Sequence, residues 1–134
     1  MPERNPPSLV DFDADAALAA VLEADAADDL RAVAEYTAED YRILYLADPV
    51  IEEYGGREEV AAVADQLHEY LHLDFEERNF FEELYPPAED AYGFATFASG
   101  ATVVRVTDGD GGLFLSFAGE VNAGPLVERV RAAI

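Results

Sequence analysis

The run from Arg57 to Leu84 constrains the fold more than any other stretch. It is the longest helical run in the chain and separates two groups of strands, so both groups must pack around it. Glu58 and Glu59 in its first turn suit the positive end of a helix. Val60, Val63, Ala64, Leu67 and Leu71 recur at three- and four-residue spacing and form one apolar stripe. Phe75, Phe81 and Tyr85 nearly continue it. Arg78 falls on the stripe, however, and Phe80 and Leu84 lie off it, which predicts a break or change of phase between Leu73 and Arg78. Upstream, Asp48 as N-cap and Pro49 in the first helical position predict an earlier helical start, which Gly55-Gly56 interrupts. Pro86-Pro87 ends the run.

This run holds both histidines, in the string HEYLH from His68 to His72. On a helix the two imidazoles lie one turn apart, and Glu69 would serve as general base beside a shared zinc ion. Over these five residues the chain resembles the zincin metallopeptidases. It departs from their pattern at Asp74, where that family has an apolar residue. A third ligand would have to be a carboxylate such as Glu89 or Asp90, because no further histidine exists. The helical phase favours a plainer reading. His68 flanks the apolar stripe, His72 lies further round, and Glu69 points away from the core. Asp65 with His68, and His72 with Glu76, are then ordinary charge pairs on a helix surface.

A length of 134 residues suits one domain with a real core. The expected division is a loose N-terminal segment, residues 1–7, followed by a single domain, residues 8–134. Without cysteine there is neither a disulfide framework nor a thiolate metal site. No apolar run approaches membrane-spanning length and no signal peptide is visible, so a soluble cytoplasmic protein without membrane partners is expected. Net charge is −21, all eight basic residues are arginine, and lysine is absent. Such a surface repels itself at low ionic strength and is relieved by concentrated salt. It offers no basic patch for nucleic acid.

Along the chain, Ser8 and Asp11 have the form of a capping box ahead of a helix reaching about Ala27, with Leu18, Val21 and Leu22 on its apolar face. Strands are expected at Leu30–Thr37 and Tyr41–Ala47, linked by the turn Thr37-Ala38-Glu39-Asp40. Tyr41, Ile43 and Tyr45 share one face of the second. After the long helical run come strands Tyr92–Ala98, Thr102–Thr107 and Leu113–Ala118, with turns at Ser99-Gly100 and at Asp108-Gly109-Asp110-Gly111-Gly112. The last of these could open a calcium loop, but no closing glutamate follows at EF-hand spacing, and a hairpin turn needs only its Gly and Asp. A helix opening at Gly124-Pro125 ends the chain, with Leu126, Val127, Val130 and Ile134 as its stripe.

The expected fold class is α+β: one five-stranded antiparallel sheet in the order α-β-β-α-β-β-β-α, helices packed on the sheet. That order is similar to roadblock-type domains and lies near the profilin-like, GAF and PAS arrangements. The acidic, lysine-free composition resembles proteins of extremely halophilic archaea, and the segment from Asp28 to Asp48 resembles a family of small uncharacterised haloarchaeal proteins. A high-salt cytoplasm is what this resemblance implies.

Three functional classes follow. The first is a non-catalytic regulatory or adaptor module that binds a protein partner or forms a homodimer. The roadblock resemblance implies an interface on the 57–84 helix and the strand from Tyr92, and Phe80, Leu84 and Tyr85 fit a contact surface. The second is a sensor holding a small ligand between sheet and long helix, in a pocket lined by Tyr41, Tyr45, Phe94 and Phe97. The third is the zinc hydrolase built on His68, Glu69 and His72. No cofactor beyond that zinc is suggested, and missing catalytic groupings favour the first class over an enzyme.

Overall fold

Alternating β-branched and aromatic residues, punctuated by Gly and Asp turns, build the sheet. In the computed structural model, which describes residues 1–134, the chain runs β1 (Glu3–Arg4), α1 (Ala14–Leu22), a 3-10 turn (Asp25–Asp29), β2 (Leu30–Thr37), β3 (Tyr41–Leu46), α2 (Asp48–Tyr54), α3 (Arg57–Leu71), α4 (Leu73–Leu84), β4 (Gly93–Ala98), β5 (Ala101–Asp108), β6 (Gly111–Ala118) and α5 (Ala123–Ala133). All strand pairs are antiparallel, in the order β1-β3-β2-β6-β5-β4. The fold is therefore α+β with one antiparallel sheet, but the sheet has six strands and not five. The sixth is β1, within the segment expected to be loose, where Glu3 and Arg4 pair with Leu46 and Tyr45. Arg57 on α3 secures it, its Nε donating to Glu3 at 2.9 Å. That hydrogen bond holds the Glu3 carboxyl below its ordinary range.

Several helix boundaries differ from the sequence expectation, and the helix expected to reach about Ala27 ends at Leu22, with a separate 3-10 turn following at Asp25–Asp29. The first helix starts at Ala14, capped by Asp13, whose Oδ1 accepts from the Ala16 N–H at 3.0 Å. The Ser8 N–H is instead bound by Glu35 at 2.8 Å. Asp48 is the first residue of α2, and Ala47 precedes it without a side-chain cap. The long run breaks at His72, just ahead of the expected window, into α3 and α4.

The two faces of the sheet are unequally covered. On one, Leu18 and Val21 of α1 and Leu126 and Val130 of α5 join strand residues such as Val33, Leu115 and Phe117 in a cluster of 14 buried residues. On the other, Val50 of α2 and Val60 of α3 meet Ile43 and Leu46 in a cluster of only four. Phe114, Ser116 and Val103 on that second face remain half-buried.

A bulge in β3 decides where Tyr45 goes. Val33 opposes Tyr45 while Ala34 opposes Ile43, which makes Leu44 the extra residue. Leu44 and Tyr45 consequently both belong to the α1/α5 side. Strict alternation would have set Tyr45 beside Tyr41 and Ile43.

Two close approaches fix the centre of the sheet. The β5–β6 turn is Gly109-Asp110, with φ +62° at Gly109, while Gly111 and Gly112 are part of β6. Gly112 faces Tyr36 across the strands, and a Cβ there would sit 2.4 Å from the tyrosine Cζ. Glu35 is fully buried on the opposite face. Its carboxylate accepts the N–H groups of Ser8, Leu9 and Val10 at 2.8, 2.9 and 3.0 Å, pinning the segment before α1.

Candidate functional site

The apolar stripe of α3 divides in the structure. Val60 is buried, Ala64 and Leu71 are half-buried, and Val63 and Leu67 stand exposed beside the uncovered part of the sheet. Between α3 and strands β2, β3 and β6 lies a groove with a cavity volume of about 90 Å³, lined by 17 residues of which 14 are hydrophobic. Ala32, Ala34, Ile43 and Phe114 contribute from the sheet, and Val60, Val63, Ala64, Leu67 and Leu71 from α3. Arg31 and Tyr54 mark one end, where Arg31 is ion-paired with Glu53. Tyr41 and His68 mark the other. Burial, then its hydrogen bond to Asp65, raises the Tyr41 hydroxyl to about 12.

Beyond that end, β2, α4 and β5 share a buried polar cluster. Asp74 accepts from the Tyr36 hydroxyl at 2.8 Å and from Arg105 Nε and Nη2, both at 3.1 Å. Arg105 also donates to Thr96 Oγ1 at 2.9 Å and lies over the Phe94 ring. Burial, reinforced by the Asp74 carboxylate, keeps the Tyr36 hydroxyl protonated far above the ordinary tyrosine range. This cluster anchors the start of α4 to the sheet. Further along α4, Arg78 donates to the Gly109 carbonyl at 2.8 Å. Arg78 falls on the stripe because it spans from helix to turn.

The sequence candidates distribute as follows. His68 Nε2 lies 2.9 Å from the Thr37 carbonyl, so it must carry the proton there, and its ring packs on Tyr41 at 5.3 Å. Glu69 is exposed, and His72 sits at the α3–α4 junction. No group of three or more His, Cys, Asp or Glu side chains is arranged to hold a metal ion. Of Tyr41, Tyr45, Phe94 and Phe97, only Tyr41 lines the groove. Tyr45 is on the other face, Phe94 lies under Arg105, and Phe97 is exposed on β4. Phe80, Leu84 and Tyr85 are exposed together with Phe81, and Phe81 meets Phe80 and Tyr85 edge-on at 5.8 and 6.4 Å. Sequence reasoning met Asp74 only as a departure from the zincin pattern and gave no role to Arg105 or Glu35. Asp74 and Arg105 are 31 positions apart, and Glu35 lies 25 to 27 positions from the amides it binds.

The geometry defines a small α+β domain whose antiparallel sheet carries its main core on one face and a groove on the other. The chain belongs to the family described as Domain of unknown function (DUF7522), whose model matches residues 16–134. That span contains every element but β1 and the first residues of α1. Neither a curated protein nor a solved structure matches the chain. No helix is long and apolar enough to cross a membrane.

Proposed function

We propose that the chain is a non-catalytic adaptor module that receives a basic amphipathic helix of a partner protein in the groove beside α3. One observation carries this reading: Val63 and Leu67, on the apolar stripe of a helix that otherwise packs on the sheet, are left 36% and 46% exposed at the rim of that groove. An amphipathic helix laid in such a groove would cover them with residues at i, i+3, i+4 and i+7 spacing. Charge selects the partner's chemistry. Glu59 shares the helical face of Val63 and Leu67, Glu53 stands at the Arg31 end, and the chain as a whole carries −21.

With β1 set aside and α2, α3 and α4 taken as one helical segment, the order α-β-β-α-β-β-β-α supports a roadblock-type, profilin-like assignment, and the lysine-free acidic composition supports a salt-rich cytoplasm of a haloarchaeon. There, screening would shorten the reach of charge and leave the apolar contact to supply affinity. A second reading is a small apolar ligand held under α3, favoured by the 14 hydrophobic lining residues. The cavity of about 90 Å³ is smaller than the ~150 Å³ that accommodates benzene in an engineered core, so an open groove contact fits better.

The test uses a synthetic Leu/Lys/Arg amphipathic helix bearing one tryptophan, a clean reporter because the chain has none. The helix should bind, and a Val63→Glu/Leu67→Glu variant with unchanged circular dichroism should bind at least tenfold more weakly. Equal binding by a scrambled peptide of the same composition, or by the variant, would reduce the effect to general charge attraction and defeat the proposal.

A further inference from the structure

Two polar groups that the fold leaves under-used line one pocket. The chain has 29 acidic residues and eight arginines, so a partly buried arginine should find a carboxylate. Arg78 does not. It is half-buried, lies 5.4 Å from the Phe75 ring centroid, and gives its one hydrogen bond to the Gly109 carbonyl rather than to an acid. Thr107, near the end of β5, is 4% exposed, and its hydroxyl is the one buried side-chain polar atom in the chain without a hydrogen-bond partner. Such a group is costly to keep unless something is there to meet it.

Both residues line a pocket of about 350 Å³ where α4, the segment before β4 and the last turn of α5 come together. That volume lies within the range of small-molecule sites. Only two of its nine lining residues are hydrophobic, so it suits a polar ligand. Two of the carboxylates around it are engaged. Glu82 accepts from the Ala91 N–H at 2.9 Å. Asp90 pairs with Arg131 at 3.5 Å, and that guanidinium lies 3.5 Å over the Tyr92 ring. Asp108 is exposed and forms no ion pair.

We propose that this pocket binds a small zwitterion of the α-amino acid class, its carboxylate taken by Arg78 and the Thr107 hydroxyl and its ammonium group by Asp108. The planar guanidinium has donors to spare beyond the one on Gly109, and its fork matches a carboxylate. Charge selects the ligand. Glu82, Asp90 and Asp108 outnumber the two guanidinium groups in a chain of −21, so a multiply charged anion is repelled while a zwitterion adds no net charge. The Thr107 hydroxyl is closed to solvent in the free chain, so binding entails a small shift of the Asp108–Asp110 turn. The pocket shares no lining residue with the α3 groove and stands independently of the adaptor reading.

The experiment is thermal melting and amide NMR of the full chain in concentrated KCl, with each of the standard L-α-amino acids in turn. Acetate, methylamine and inorganic phosphate serve as probes that carry only one sign of charge. At least one amino acid should raise Tm saturably and move the amide signals of Asp108, Gly109 and Asp110, and the three single-sign probes should do neither. Arg78→Gln and Thr107→Val should each weaken binding roughly tenfold or more. Thr107→Val removes a hydroxyl that has no partner, so without ligand it should melt no lower than wild type. No saturable response to any amino acid, an equal response to acetate or phosphate, or unchanged affinity in either folded variant overturns the proposal.

Discussion

Replacing Asp74 by alanine removes the acceptor that joins three elements. The Arg105 guanidinium then loses both of its bonds to the carboxylate, and the Tyr36 hydroxyl loses its only partner. Both ionic side chains are well buried, at 6% exposure for Asp74 and 14% for Arg105. Breaking one partner out of such a pair costs about 3–5 kcal/mol. Arg105 keeps its bond to Thr96 and its place over Phe94, close to the uncovered part of the sheet, so the lower end applies, about 3 kcal/mol. At roughly 2.1 cal/mol/K per residue, a chain of this length has an unfolding entropy of roughly 0.28 kcal/mol/K, so Tm should fall by roughly 10 °C. Thermal and urea melts at constant high salt measure this, with Asp74→Asn, which retains an acceptor for Tyr36, as an intermediate case. A double-mutant cycle with Arg105→Ala should show clear coupling. If Asp74→Ala lies within about 0.5 kcal/mol of wild type, or if the two losses simply add, the cluster does not hold α4 to the sheet.

Two further outcomes follow from the buried polar groups. Tyr36 keeps its proton in the folded state well above the pH at which it loses it unfolded, so the native state binds more protons in alkali and stability falls as pH rises past about 10. Tyr36→Phe should remove up to about 1.4 kcal/mol per pH unit of that slope, measured by urea melts between pH 9.5 and 11.5. Glu35→Ala should free the amides of Ser8, Leu9 and Val10, costing on the order of 2–4 kcal/mol. Limited proteolysis should then cut ahead of Ala14 while the sheet stays intact.

The five longer strands were readable because each is bounded by turn residues, and each lies within one or two residues of its expected limits. The long helical run was readable from its stripe, and its break from the misplacement of Arg78. What escaped was long-range. A two-residue strand beside prolines has no periodicity, and β1 exists only because β3 offers an edge and Arg57 a counter-charge. A single glutamate in a strand looks like a solvated face, yet Glu35 sits under the N-terminal segment. The bulge at Leu44 shifted Tyr45 across the sheet, a change of parity that no local pattern announces. The groove was half-visible: the stripe was plain, but a stripe does not reveal that the opposing sheet is too wide for one helix to cover.

The sheet order also shapes how the chain assembles. β2–β3 form one hairpin and β4–β5–β6 a meander, and the two halves touch within the sheet only along β2 and β6. That seam joins Leu30–Thr37 to Gly111–Phe117, residues on average roughly 80 positions apart. Each half can form from local contacts, but the seam has to close a loop holding three helices and three strands. Meeting of the half-sheets is thus the slow event of folding. Until it occurs, strands that end at the centre of the native sheet are themselves open edges, and the closing of this seam leaves β4 as the only long one.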